Sequence, residues 1–93
     1  MTIGVLHIDL MIPGARSLKD KRRVLKSLKE RLRNRFNCSV AETEYQDLWG
    51  RARLSAAVVS AESRHANEQL NEIVRYVSLD RAAVMADYRI EML

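Results

Sequence analysis

Four stretches of this chain alternate apolar and polar residues with a period of two, and two repeat them at helical spacing. From Ile3 to Ile12, Leu6, Ile8, Leu10 and Ile12 point one way, while Val5, His7, Asp9 and Met11 point the other. Pro13-Gly14 then breaks the strand. From Ser17 to about Asn37, Leu18, Val24, Leu25, Leu28, Leu32 and Phe36 gather within a third of a helix circumference. Ser17 is suited to cap this helix, with Asp20 three residues on as a capping-box partner. Cys38 to Glu44 reads as a second strand of weaker pattern, and Tyr45 to Gly50 as its connection to the next. Ala52 to Ser60 alternates with both sides fairly apolar, as in a central strand. Glu62 to Val77 reads as a second helix, with Ala66, Leu70, Ile73, Val74 and Val77 on one face. In the last strand, Val84, Ala86, Tyr88, Ile90 and Met92 alternate with Met85, Asp87, Arg89 and Glu91.

The order βαββαβ predicts an α+β, ferredoxin-like sandwich in one domain over residues 1–93. Two split βαβ units would form a four-stranded antiparallel sheet, with both helices on one face and the first and third strands central. Leu6, Ile8, Leu10, Leu25, Leu28, Leu32, Leu54, Val58, Leu70 and Ile73 should form the core. Val5, Met11, Ala57 and Val59 would then leave an apolar patch on the open sheet face. Large patches of this kind are uncommon on monomers, so a second copy or another partner is expected to cover part of it.

Charge sharpens the picture because it belongs to one element. The net charge is +4, yet residues 16–35 hold ten Lys or Arg and two acids, a net of +8, and the remainder is −4. Opposite the apolar face of the first helix stand Lys19, Arg22, Arg23, Lys26, Lys29 and Arg33, with Glu30 the one acid among them. From Lys19 to Arg33 this stripe runs about 21 Å at ~1.5 Å per residue. Cations in the first two turns oppose the helix dipole, at about 0.3–1 kcal/mol each when exposed. Selection for helix stability alone would place acids there. A focused positive field fits a polyanion partner; a helix face kept charged for solubility is the competing account.

No run approaches the length of a membrane span, the first residues carry no basic region of the secretory kind, and a lone cysteine, Cys38, allows no internal disulfide. These features predict a cytoplasmic protein. At 47% apolar and 30% charged residues, the composition is globular and not disordered.

The run GVLHIDLMIPGARSLKDKRRVLKSLKERLRNRFNCSVAE, Gly4 to Glu42, and QDLWGRA, Gln46 to Ala52, resemble the YlxP-like family of small bacterial proteins, domain of unknown function 503. The segment IPGARSLKDKR, between a strand and a basic helix, carries most of the specificity; the likeness fades after Ser60. The resemblance implies a ferredoxin-like fold and supplies no catalytic residue. Through the neighbourhood of the family's genes, it implies a place near ribosome assembly or translation.

Candidate chemistry is sparse. Arg16, Lys19, Arg22, Arg23, Lys26, Lys29 and Arg33 suit phosphate contacts, since each neutralises a phosphate and releases condensed counterions. No aromatic residue lies among them, which favours backbone or shape recognition of structured RNA over base stacking. The open sheet lacks the paired aromatics of an RNP1 platform. The loop from Pro13 to Ser17 could hold an anion at a helix N-terminus, but a tight turn and N-cap is the plainer account. His7 and Asp9 share a strand face about 7 Å apart. Neither His65 nor Cys38 completes a metal or acid–base set with them in sequence, so His7 reads as a surface or interface residue. Cys38 reads as a small buried hydrophobe. Trp49 either caps one end of the core or anchors a partner. No cofactor, metal or small-molecule substrate is indicated. The sequence therefore predicts a non-enzymatic RNA- or ribosome-binding module on the first helix; the alternative is a homodimeric or protein-interaction module on the open sheet.

Overall fold

The computed structural model describes all residues 1–93. It shows β1 (Thr2–Met11), α1 (Leu18–Arg35), β2 (Ser39–Glu44), β3 (Arg51–Ser60), α2 (Ser63–Ser78) and β4 (Val84–Met92). The sheet is antiparallel in the order β2-β3-β1-β4, so β1 and β3 are central, and the fold is a ferredoxin-like α+β sandwich. Element ends agree with the periodicity to within about two residues, the usual latitude of helix ends.

The period-two pattern sets the faces. Leu6 lies opposite Ala56, Ile8 opposite Leu54 and Leu10 opposite Ala52. These side chains meet Leu25, Leu28 and Leu32 of α1 and Ala66, Leu70, Ile73 and Val77 of α2 in one buried cluster. All ten residues expected in the core are buried. Leu18, Val24 and Phe36, at the margins of the α1 face, are only partly covered. At Gly4, α2 packs directly on β1: a Cβ there would stand 2.8 Å from Leu70 Cδ1. We expect Gly4→Ala to lower stability by about 1–3 kcal/mol through overpacking, measured by urea denaturation.

One strand departs from simple alternation. Asp87 pairs with Asp9, but Met85 pairs with Leu10 and Val84 with Met11, leaving Ala86 as an extra residue in a bulge. Directly opposed residues share a face. Tyr88, Ile90 and Met92 therefore turn toward the helices together with Met85, while Val84 moves to the open face beside Met11. The bulge thus exchanges Val84 and Met85 relative to their sequence pattern.

Candidate nucleic-acid interface

The start of α1 is locally satisfied. Ser17 Oγ accepts from the Asp20 N–H at 3.1 Å, and Asp20 Oδ2 accepts from the Arg16 N–H at 3.0 Å. This is a capping box displaced by one residue, since the carboxylate reaches Arg16 and not the Ser17 amide. A native carboxylate thus occupies the helix N-terminus, and the loop from Pro13 to Ser17 is a turn and cap. Beside it, Arg23 and Arg81 line the same cleft, so the cationic surface gains a residue from the α2–β4 connection.

Further along, Arg22, Arg23, Lys26 and Arg33 are exposed, as are Lys19 and Arg16, and Lys29 is half-buried. They lack carboxylate partners, as do Arg35, Arg51 and Arg81. Of the sixteen Lys and Arg side chains, six engage a carboxylate: Lys21, Arg31, Arg53, Arg64, Arg75 and Arg89. None of the seven phosphate candidates is among those six. Arg33 donates instead to the Val40 carbonyl at 2.8 Å, which ties the end of the stripe to β2.

Lys21 is the cation that sequence reasoning missed. It is 1% exposed and lies under the first turns of α1. Its ammonium reaches Glu42 Oε2 at 2.7 Å and donates to the Tyr45 carbonyl at 2.7 Å and the Leu48 carbonyl at 2.5 Å. Two protons thus go to carbonyls, and the Glu42 carboxylate supplies the countercharge that a buried ammonium requires. The signal was present in the periodicity, because Lys21 continues the line of Leu25, Leu28 and Leu32.

The open sheet face is polar at its centre. His7 Nδ1 lies 2.8 Å from Ser55 Oγ, which in turn lies 2.7 Å from Thr43 Oγ1, and His7 Nε2 is 3.5 Å from Glu91 Oε1. Asp9 accepts two hydrogen bonds from Arg53, at 2.7 and 3.2 Å, and that guanidinium holds its carboxyl below the ordinary value against the opposing effect of burial. The band divides the expected apolar patch. Val5, Ala57 and Val59 stand on one side of it, with Ile3 opposite Val59. Met11 stands on the other, in a groove of about 370 Å³ with Leu48, Trp49 and Arg51. Trp49 is 50% exposed there, so it does not close the core. His65 is exposed on α2, away from His7, and no group of three or more His, Cys, Asp or Glu side chains is arranged to hold a metal. Burial pushes the Cys38 thiol up, partly opposed by Arg33, which leaves it a poor nucleophile.

Residues 3–90 match the family model described as "Protein of unknown function (DUF503)". The chain belongs to this family. It is also 36% identical over 75 residues to "Uncharacterized protein YlxP" of Bacillus subtilis (strain 168), across 81% of this chain and 82% of that protein. The family match extends through α2 and most of β4, where the resemblance read from the sequence was weakest. The basic helix and the Trp49 loop both lie inside the matched residues. No helix of the chain is long and apolar enough to cross a membrane.

Proposed function

We propose that the outer face of α1 binds structured RNA, free or within the ribosome, and that the protein serves ribosome assembly or translation as a cytoplasmic binding module and not as an enzyme. The observation that carries this reading is the pairing pattern. Carboxylates engage Lys21 and Arg31 on the same helix and four arginines elsewhere, and they leave Arg16, Lys19, Arg22, Arg23, Lys26, Lys29 and Arg33 unmatched. Unpaired cations on a rigid helix suit a phosphate backbone because they neutralise it and release its counterions. A duplex RNA presents its shallow minor groove and flanking phosphates to such a face without requiring a base-reading side chain.

Filter binding of a stem-loop RNA at low salt tests the location of the site. Arg22→Ala with Lys26→Ala should weaken binding about tenfold or more through the loss of two phosphate contacts. Arg64→Ala with Arg75→Ala removes the same charge from α2, where both arginines already face glutamates, and should leave affinity within about twofold. Equal losses in the two variants would mean diffuse attraction to a basic protein and no site on α1.

A second surface is favoured by a separate observation. Met11, Leu48 and Trp49 stand 43%, 48% and 50% exposed around one groove on the open-sheet side. We propose this groove as the seat of a second copy of the chain, compatible with RNA on α1. Sedimentation equilibrium should show a concentration-dependent dimer that Trp49→Ser weakens; a wild-type monomer at high concentration contradicts self-association.

A further inference from the structure

The α1 stripe contains no aromatic residue, but the fold brings one beside the C-terminal end of the helix, on the flank that faces α2. Tyr76 of α2 lies in the cleft between the helices, where it lines a cavity of about 310 Å³ with Arg31, Asn34 and Arg35 of α1. The Arg35 guanidinium carbon stands 4.9 Å from the Tyr76 ring centroid and that of Arg31 5.9 Å. Arg31 also donates to the Tyr76 hydroxyl at 3.3 Å, and the Phe36 ring meets Tyr76 edge-on at 6.0 Å. The ring is therefore held from three sides.

Charge in the cleft is uneven. Asp80, the nearby acid, accepts from Arg31 at 3.0 Å and from the N–H groups of Ala82 and Ala83 at 3.1 and 2.8 Å, so its carboxylate is satisfied. Arg35 has no carboxylate partner and is exposed over the ring. Asn34, also exposed, offers a carboxamide at the rim, on the flank of α1 away from Arg33 and its Val40 contact. A planar cation above an aromatic ring, with no carboxylate to neutralise it, and an amide able to donate and accept are the elements that hold an unpaired nucleotide. Its base stacks on aromatic or guanidinium planes, and its phosphate meets a cation.

We infer that this cleft binds one unpaired nucleotide of the RNA whose helical part lies along α1. The base stacks against Tyr76 and Arg35, and Asn34 meets its edge. This inference rests on the α1 reading and adds the class of RNA: a stem interrupted or ended by an unpaired base.

The test compares two RNAs, a fully paired hairpin stem and the same stem with one unpaired 2-aminopurine nucleotide. The wild-type protein should bind the interrupted stem about tenfold more tightly, the scale of one stacked base, and should change the 2-aminopurine emission on binding. Tyr76→Leu should abolish that preference and the emission change while keeping affinity for the paired stem. Tyr76→Phe, which keeps the ring, should retain both. Arg35→Gln, on the surface, asks the same question if Tyr76→Leu fails to fold, and the preference should again be lost. Equal wild-type binding of the two RNAs, or a preference that survives these variants, overturns the nucleotide cleft and leaves the α1 site standing. Failure of the wild-type protein to bind either RNA overturns both.

Discussion

Lys21 separates the two uses of positive charge in this chain. Its neighbours Arg22 and Arg23 project into solvent, whereas Lys21 turns inward and fastens α1 to β2 through Glu42 and to the loop after it through Tyr45 and Leu48. Tyr45 adopts a left-handed backbone conformation, with φ of 64°, and the lysine holds its carbonyl. Removing the ammonium would leave a mostly buried carboxylate and two carbonyls without that partner. Lys21→Met should therefore lower stability by about 3 kcal/mol, measured by urea denaturation, although the same substitution at an exposed position of α1 would scarcely register. Asp9 offers a residue-scale test by pH. Its carboxyl is held below the ordinary value of 3.8 chiefly by Arg53. The stabilisation from that shift is full above the ordinary value and is lost as pH falls through the lowered one. The pH-dependent part of the stability difference between wild type and Arg53→Gln should thus be constant near neutrality and shrink toward zero in strong acid. A difference that grows as pH falls would contradict the assignment.

At the scale of elements, α1 is built to fold despite its charge. The Ser17 cap, the Asp20 carboxylate and the buried line Leu25, Leu28, Leu32 offset cations placed against the helix dipole. Ser17→Ala should cost about 1 kcal/mol in thermal or urea unfolding. Arg22→Ala with Lys26→Ala should change stability by no more than about 0.5 kcal/mol per site, because neither side chain has a carboxylate partner. The elements and their faces were legible because Leu6, Ile8 and Leu10, or Leu25, Leu28 and Leu32, each follow a single period. What was illegible depended on pairing between distant segments. The bulge at Ala86 becomes visible only when β4 is set against β1. Glu42 explains a lysine on an apolar face only when β2 lies beneath α1. Tyr76 joins the basic surface only when α2 packs beside Arg31 and Arg35. The same reasoning divided the open-face patch: Val5 and Met11 share a strand face, but Asp9–Arg53 and His7–Ser55 lie between them.

Across the whole molecule, the two layers carry different surfaces. The helix layer presents the unpaired cations of α1, with Arg81 beside one end of the helix and the Tyr76 cleft on its α2-facing flank near the other. The sheet layer presents a self-satisfied polar band between apolar ends. Unmatched charge is therefore concentrated on the helix layer, with Arg51 the one such arginine on the sheet side, which focuses a polyanion's attraction where the net charge of +4 alone would suggest a mild, even one. The central claim is that discrete phosphate contacts are made by α1. Its most direct test is the salt dependence of RNA affinity, measured by filter binding for the wild-type protein and for Arg22→Ala with Lys26→Ala. Wild-type affinity should fall linearly in log K against log salt, and the double variant should flatten that slope by roughly 1.4–1.8 while unfolding at the same urea concentration. Salt-insensitive binding by the wild type, or an unchanged slope in the folded double variant, would contradict a phosphate site on α1.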